Sequence, residues 1–445
     1  MEVKEIESSF ELLAKASNTF DNRYISKVLR GVGTLRKKLS QDKSILESII
    51  SKVYGTSRPY LNQFGLINES MDVDKDEISP EVDLYIHLLV QIYYLDNKQY
   101  DELNSFNDEV IKLMQVYNRR TLDLIQAKIW FYISRTKELI DDLLTIRPVL
   151  TTFLKISSLR HDNETMGCII TLLLRNYILT KDINQAINLI EKIQFPECSN
   201  SVSCRYYYYL AKIHAIQLNY SIANEYCITA IRKSPQTKLS LGFLQSATKL
   251  NIIIELLMGD IPELKIFKTN QWNFEPYLMV TKAVKNGDLK LFDHAIKTYR
   301  TDFINDDNLS LILRLHQNVI KTGIRLISLS YSKISLKDIC IKLNLDSEQS
   351  TEYIIAKSIR DNVIEASINN EKGFMKSKEL LDIYSTKLPQ SEFDSRINFC
   401  LELYNDLVKS MRYPSENLKV NEEIDDDELE LIKALQDGDL DGLMD

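Results

Sequence analysis

The chain has 445 residues, of which 44% are hydrophobic, and a formal net charge of −8. This length is too great for one compact core, so two or three structural units are expected. The charge is uneven, because residues 415–445 hold twelve acids and two lysines, a net of −10, which leaves +2 for residues 1–414. A folded body so close to neutral argues against whole-body attraction to nucleic acid.

The composition predicts an all-α protein. Glycine (12) and proline (9) together make up under 5% of the chain. Because these residues interrupt helices, their scarcity favours long helices joined by short turns. No apolar run approaches the ~18 residues that span a bilayer, and the amino terminus lacks the basic start of a signal peptide. Six scattered cysteines fit reduced thiols, so we expect a soluble protein of the cytoplasm and nucleus without a membrane partner.

The amino-terminal part divides into helices, a linker and a long helical array. Residues 1–54 have the apolar spacing of one or two amphipathic helices, and an acidic, turn-rich linker completes the first segment, 1–82. Helical periodicity then continues through residues 83–308. Within it, the 34-residue tetratricopeptide pattern requires small residues where two helices meet, and Ala211, Ala223 and Ala230 fit those positions. Ala186 fits the same pattern one repeat earlier. We therefore predict a solenoid of degenerate, tetratricopeptide-like helical hairpins.

The pattern changes at the carboxy-terminal end. A leading helix opens the segment 309–386, and Ser335 with Asp338 forms a capping box for the next helix. A second helix follows Ser347, and two short strands flank a turn that ends at Gly373. This order of helix, helix and hairpin is typical of a winged helix. Residues 387–414 form a carboxy-terminal helix, and residues 415–445 form an acidic tail that is predicted to be disordered.

Several short blocks in this order resemble the PCI-domain family, and within it the subunits of the proteasome lid. The resemblance covers roughly residues 150–414, and the blocks that carry it include Leu257-Met-Gly-Asp-Ile-Pro-Glu-Leu264, Asn318-Val-Ile-Lys-Thr-Gly-Ile-Arg325 and Ser410-Met-Arg-Tyr-Pro414. It implies a scaffold that pairs its winged helix with neighbouring subunits and adds its last helix to a common bundle. The implied partners are other lid PCI subunits, the lid deubiquitinase module and the small acidic disordered lid subunit. Alternatives are a PCI subunit of the COP9 signalosome or of initiation factor 3, or a PCI nucleic-acid adaptor.

The chain lacks the common sequence signatures of enzymes. It has no glycine-rich loop ending in Gly-Lys-Ser or Gly-Lys-Thr, and its five histidines never occur as His-x-His or His-Glu-x-x-His. Cys198 and Cys204 are not accompanied by a second cysteine pair, so free thiols are favoured over a zinc site. We predict no catalytic residue, cofactor or metal.

The winged helix favours protein binding over DNA binding. Its second helix has a net charge of −2 between residues 346 and 361, which would repel phosphates. The returning strand is predicted to form an open sheet edge for strand addition by a neighbour, through the following residues: Phe374, Met375, Lys376 and Ser377.

Two further candidate sites each have a simpler interpretation. Basic residues gather in the array, and they form either a solvated helix face or a groove for an acidic extended partner: Arg205, Lys212, Arg232, Lys233, Lys238 and Lys249. In the tail, Leu431, Ala434 and Leu435 loosely follow a ubiquitin-interacting helix, although Gly438 stands where serine is expected. The simpler interpretation is a solvated acidic tail.

Overall fold

The computed structural model describes residues 2–39, 46, 47, 50, 53, 79–268, 274–345, 347–378 and 383–412. The chain divides into two units at Ser377, with unit 1 before this boundary and unit 2 beginning at Lys378. Helices α1 to α16 of unit 1 have these bounds: α1 Glu2–Thr19, α2 Asn22–Leu39, α3 Pro80–Asp96, α4 Tyr100–Val116, α5 Asp123–Leu139, α6 Ile146–Arg160, α7 Asn163–Leu179, α8 Ile183–Lys192, α9 Asn200–Ile216, α10 Tyr220–Lys233, α11 Leu241–Met258, α12 Leu264–Phe267, α13 Glu275–Asn286, α14 Leu289–Thr298, α15 Arg300–Asn305 and α16 Leu309–Ser330.

The middle of unit 1 is a stack of helical hairpins. Helices α3, α5, α7 and α9 pack side by side, and α4, α6, α8 and α10 each return against a neighbour in the stack. Ala211, Ala223 and Ala230 are fully buried where α9, α10 and α11 meet, as is Ala186 on α8. The absence of larger side chains there lets the helices approach closely, which confirms the predicted repeat positions.

Most turns between these helices do without glycine. Four residues adopt a left-handed backbone conformation two positions after the end of a helix: Lys98, Asp141, Lys181 and Leu218. This conformation costs an ordinary L residue roughly 1–2 kcal/mol. The turns are short, as the composition predicts. Ordinary residues rather than glycine occupy their left-handed positions.

Helix α11 is apolar because it lies in the core. The segment Lys238–Met258 is long and apolar enough to cross a membrane by length and composition. Its buried residues, however, include Leu250, Ile253 and Leu256, and the helix packs against α10, α13 and α16. Its hydrophobicity is explained by this packing.

A winged helix completes unit 1. It comprises β1 (Lys333–Ser335), α17 (Leu336–Leu343), α18 (Glu348–Arg360), β2 (Ala366–Asn369) and β3 (Phe374–Ser377). The Ser335 hydroxyl accepts a hydrogen bond from the Asp338 backbone N–H at 3.1 Å, and Ser347 caps α18 in the same way. Gly373, with φ of +61°, ends the turn between β2 and β3. These features confirm the predicted module.

The predicted open edge at Phe374–Ser377 is wrong. The strand order is β1-β3-β2, so β3 is the central strand, paired antiparallel with β1 on one side and with β2 on the other. Met375 on β3 lies opposite both Ile334 and Ile368 and is fully buried. The edges of the sheet are β1 and β2.

The carboxy-terminal part of the array, from α9 onward, shares one hydrophobic core with the winged helix. Buried residues of α11, α13 and α14 belong to the same cluster as Ile334, Ile339 and Met375 of the winged helix. The backbones of the α13–α14 turn and α16 are in close contact. A Cβ added to Gly287 in this turn would lie 2.5 Å from the Cα of Gly323 on α16. A Cβ on Gly323 would in turn lie 2.6 Å from Leu343 on α17.

The described part of unit 2 is dominated by one helix, α19 (Leu388–Met411). Pro389 occupies its first turn, where a missing backbone N–H is harmless. The helix lies within the predicted segment 387–414. None of its residues is buried.

Candidate partner-binding surfaces

Helix α19 exposes an unusually apolar surface. Large side chains that are each between 50% and 75% exposed occur along its whole length: Leu388, Phe393, Ile397, Phe399, Leu401, Leu403, Tyr404, Leu407 and Met411. Among them, positions 393, 397, 404, 407 and 411, together with Cys400, follow the alternating four- and three-residue spacing of a heptad seam. Leu401 and Leu403 widen the seam on both sides. An apolar surface this broad fits burial among several helices better than a two-helix contact.

The winged-helix sheet provides backbone groups at β1 and β2 rather than at the predicted residues. Strand β2 (Ala366–Asn369) pairs with β3 on one side only. The same holds for β1, which is one residue shorter. Strand addition by a neighbour would therefore use an outer strand, since the backbone of Phe374–Ser377 is already paired on both sides.

The predicted basic groove is not formed, because two of its lysines are engaged inside the protein. Lys212 on α9 lies 2.6 Å from Asp307, and Lys249 on α11 lies 2.7 Å from Asp306. Both lysine side chains are less than one-fifth exposed. The Tyr277 hydroxyl also donates to Asp306 at 2.8 Å, and burial raises the pKa of this tyrosine.

These pairs close a polar cavity of about 260 Å³ between the array and the turn that joins α15 to α16. The acids come from the adjacent Asp306 and Asp307, the latter in a left-handed conformation with φ of +55°. Helical periodicity alone does not reveal these acids as partners of the lysines. The sequence signal for these acids is a pair of adjacent aspartates at a break between two helical segments.

The other predicted basic residues point to different neighbours. Arg205 lies over the ring of Phe131, 5.2 Å from its centroid, and Lys233 lies 4.6 Å from the ring centroid of Tyr207. Arg232 is exposed. Positions 205 and 212 share one face of α9, whereas position 207 lies on the opposite face. The six basic residues, including the exposed Lys238, therefore do not line one groove, and that prediction is wrong.

Replacing Lys249 with methionine is expected to lower the free energy of unfolding by about 2 kcal/mol. Asp306 would keep the Tyr277 hydroxyl but lose its cation in a largely desolvated site, where breaking a fully buried pair costs roughly 3–5 kcal/mol. The smaller value reflects the partial exposure of both side chains. Urea denaturation of the two proteins measures the difference. Lys265→Met is the control, since Lys265 and Glu263 are exposed and 3.9 Å apart; equal losses for the two variants would contradict the role of the buried pair.

A second polar cavity, of about 110 Å³, lies between the turns that precede α5 and α7. Its lining consists of Asn118, Arg119, Arg120, Asp123, Arg160 and Asp162. Burial, with a smaller contribution from Asp162, raises the pKa of Asp123 to about 7. The folded protein therefore favours the protonated form of Asp123.

This shift predicts that the contribution of Asp123 to stability falls as pH rises. The unfolded carboxyl ionises near pH ~4, so between about pH 4 and about pH 7 the folded state holds the extra proton and the free energy of unfolding falls with pH. Asp123→Asn mimics the protonated form. It should stabilise the protein by about 1 kcal/mol at about pH 8, a value discounted for the half-exposed carboxyl, with less effect at about pH 5.

Denaturation of Asp123→Asn and the parent protein at both pH values tests this expectation. Asp142→Asn is the matched control of opposite sign, because hydrogen bonding to Thr145 lowers the pKa of Asp142. A variant at Asp123 that is less stable than the parent at the higher pH would refute the assignment.

Burial disfavours the charged form of four thiols and of one histidine. Burial raises the pKa of Cys168 and Cys227 to about 12 and also raises the pKa of Cys198 and Cys204. Burial likewise lowers the pKa of His214, which stacks on Tyr226. Over the described ranges, no group of three His, Cys, Asp or Glu side chains could hold a metal ion.

The ubiquitin-interacting-like residues Leu431, Ala434 and Leu435 lie outside the described residues. Their role remains a prediction. A peptide of residues 415–445 titrated against isotopically labelled ubiquitin would test it, and unchanged NMR spectra would end the proposal.

Comparison with known proteins accounts for this arrangement of array, winged helix and terminal helix. Residues 1–281 match the family model described as PSMD3-like, N-terminal TPR repeats. Residues 296–379 match the PCI domain, and residues 382–442 match the model for the C-terminal region of a proteasome regulatory subunit. The chain belongs to the family of 26S proteasome non-ATPase regulatory subunit 3. The all-helical array followed by a PCI module is thus confirmed.

Similar proteins of the subunit 3 family align over nearly the whole chain. The chain is 42% identical to the 26S proteasome regulatory subunit RPN3 of Saccharomyces cerevisiae, with 93% of this chain and 87% of that protein aligned. It is 41% identical to the probable subunit rpn3 of Schizosaccharomyces pombe, over 99% and 91% of the two chains. For the probable non-ATPase regulatory subunit 3 of Anopheles gambiae the identity is 39%, over 99% and 92%. The similarity extends further than residues 150–414, since the family models reach from residue 1 to residue 442.

Proposed function

We propose that this chain is a non-catalytic structural subunit of the lid of the 26S proteasome regulatory particle. It supports ubiquitin-dependent protein degradation by holding other subunits in place. Its proposed partners are other lid PCI subunits, the lid deubiquitinase module and the small acidic disordered lid subunit. It would act in the cytoplasm and the nucleus, which imaging of a fluorescently tagged chain would test; absence from either compartment would contradict that assignment.

The observation that carries this proposal is the surface of α19. None of the residues of this 24-residue helix is buried, and large apolar side chains are exposed along its full length, so we infer that the helix gains stability from partners. The names of the similar proteins supply the class of assembly. Those names favour the proteasome over the COP9 signalosome or initiation factor 3.

A nucleic-acid adaptor, the alternative from another class, receives less support. Helix α18, which would read a DNA groove in a DNA-binding winged helix, carries Glu348 and Glu352 against Lys357 and Arg360. Asp361 follows directly and forms a 3.0 Å ion pair with Lys321. Without an excess of cations on this helix, phosphate neutralisation would be weak.

The proposal is tested by tagging the chain at its genomic locus and following it through a glycerol gradient, with mass spectrometry of each fraction. We expect it to sediment with intact proteasomes and to be present in the same amount as the other lid subunits. Sedimentation only as free chain, or turnover of a substrate by the purified chain alone, would contradict the proposal.

A further inference from the structure

Helix α2 (Asn22–Leu39) is a local concentration of positive charge. Its 18 residues include six cations and no acid: Arg23, Lys27, Arg30, Arg36, Lys37 and Lys38. Residues 1–414 have a net charge of only +2, so this one helix is far more basic than the body that carries it.

The apolar side of α2 is already occupied. Ile25, Val28, Leu35 and Leu39 are buried, and the helix packs against α1, α3 and α5. Arg36 also donates to Asp96, at the end of α3. A membrane-surface helix would insert its apolar side into lipid, and here that side faces the protein core. What α2 offers to a partner is its cationic side.

The exposed cations form a straight line. Arg23, Lys27 and Arg30 are exposed and follow the spacing i, i+4, i+7, which places them on one face over about 10 Å. Among the described residues, none of the three has an acidic side chain within ion-pair distance. At the amino-terminal end of the line, Phe20 in the α1–α2 turn is 78% exposed, in a left-handed conformation with φ of +54°. Thr34, one turn beyond Arg30, is exposed as well.

We propose that this face of α2, from Phe20 to Thr34, binds an acidic α-helical segment of a partner protein. Carboxylates at i, i+4 and i+7 of the partner helix have the same rise along the axis as the three cations, so a helix lying alongside α2 pairs all three at once. An apolar residue of the partner helix, one turn beyond its acids, packs on Phe20. This contact excludes water and adds affinity that solvent-exposed charge pairs contribute only weakly. This interface goes beyond the proposed lid function, which rests on α19.

The geometry favours a protein helix over nucleic acid. Proteins that bind nucleic acid through the backbone can neutralise about 6–10 phosphates, whereas this line has three cations that lack an ion-pair partner among the described residues. Asp21 lies at its head, where the carboxylate accepts a hydrogen bond from the Arg23 backbone N–H at 2.9 Å. An acid at this point repels a continuing phosphate backbone.

Binding to designed probes tests the register. The full chain is titrated with a labelled helical peptide that has glutamates at i, i+4 and i+7 and a leucine one turn beyond, with the same peptide scrambled, and with single-stranded oligouridine. We expect the first peptide to bind at least about 10-fold tighter than the scrambled one, and its affinity to fall as salt rises from about 50 mM to about 200 mM. Equal binding of the two peptides, or tighter binding of the RNA, would overturn the proposal.

Charge reversal tests the residues. The triple variant Arg23→Glu, Lys27→Glu, Arg30→Glu should lose at least about 10-fold in affinity for the peptide. Its matched control reverses three exposed lysines on and after α13, Lys282→Glu, Lys285→Glu and Lys290→Glu, with the same change in net charge. Equal losses in both variants would refute α2 as the site. Because α19 is unchanged, sedimentation of the triple variant with the particle reports on the lid function separately.

A photoreactive residue in place of Thr34 tests the interface in the native particle. The tagged chain is irradiated within purified proteasomes, and cross-linked peptides are identified by mass spectrometry. A product on a helical segment with acids at i, i+4 and i+7 supports the proposal. A nuclease-sensitive product, a product on a segment without such acids, or no product would overturn it.

Discussion

Replacing Ile397 and Leu407 with aspartate is expected to remove the chain from the assembled particle without unfolding it. Both residues lie on the heptad seam of α19 and are more than half exposed in the chain itself, so the isolated protein loses little packing. In an assembled bundle each aspartate would be desolvated without a partner, at a cost above ~2 kcal/mol per site. The pair should weaken association on the order of 1000-fold.

The measurement is the fraction of tagged chain that sediments with proteasomes, together with circular dichroism of the purified variant. Ser395→Asp with Asn405→Asp is the matched control, because both positions lie on α19 away from the heptad seam and are exposed. If the seam variant assembled as well as this control, α19 would not be the assembly helix.

Gly287→Ala should destabilise unit 1 by about 2–5 kcal/mol. The backbone at Gly287 has φ of +65°, which costs an L residue roughly 1–2 kcal/mol. The new Cβ would also lie 2.5 Å from the Cα and the backbone nitrogen of Gly323. Since backbone atoms cannot rotate away, α16 would have to shift, at roughly 1–3 kcal/mol for overpacking.

Gly259→Ala separates the two causes. Gly259 also has a positive φ, of +101°, but no atom lies within 4 Å of its added Cβ. This variant should therefore show the conformational cost alone. Urea denaturation followed by far-UV circular dichroism measures both variants. Equal losses at positions 259 and 287 would show that the contact with Gly323 does not limit packing.

The sequence predicted those features that depend on neighbours within one or two helical turns. Small residues such as Ala211 and Ala223 mark helix contacts inside a hairpin, and Ser335 marks a helix start through a contact three residues away. Both kinds of signal are local, so the array and the winged-helix module could be recognised.

The sequence did not predict features that depend on distant pairing. The position of β3 at the centre of the sheet depends on β1, a three-residue strand about forty residues earlier, and alternation of side chains cannot give strand order. Lys212 is paired by an acid 95 residues away and Lys249 by one 57 residues away. Helical periodicity predicts which side of its helix each lysine occupies, but it does not predict which acid pairs with that lysine.

The shared core has a consequence for how the protein can be divided. Ile312 and Leu315 near the start of α16 and Met375 in the sheet belong to the same buried cluster as residues of α11 and α13. A fragment that began at the start of α16 would expose its residues of this cluster to water. The remaining array would expose the cluster residues of α11 and α13. Domain-shuffling and limited digestion are therefore poor routes to a separate winged-helix piece, and we expect the winged helix and the carboxy-terminal part of the array to unfold as one cooperative block.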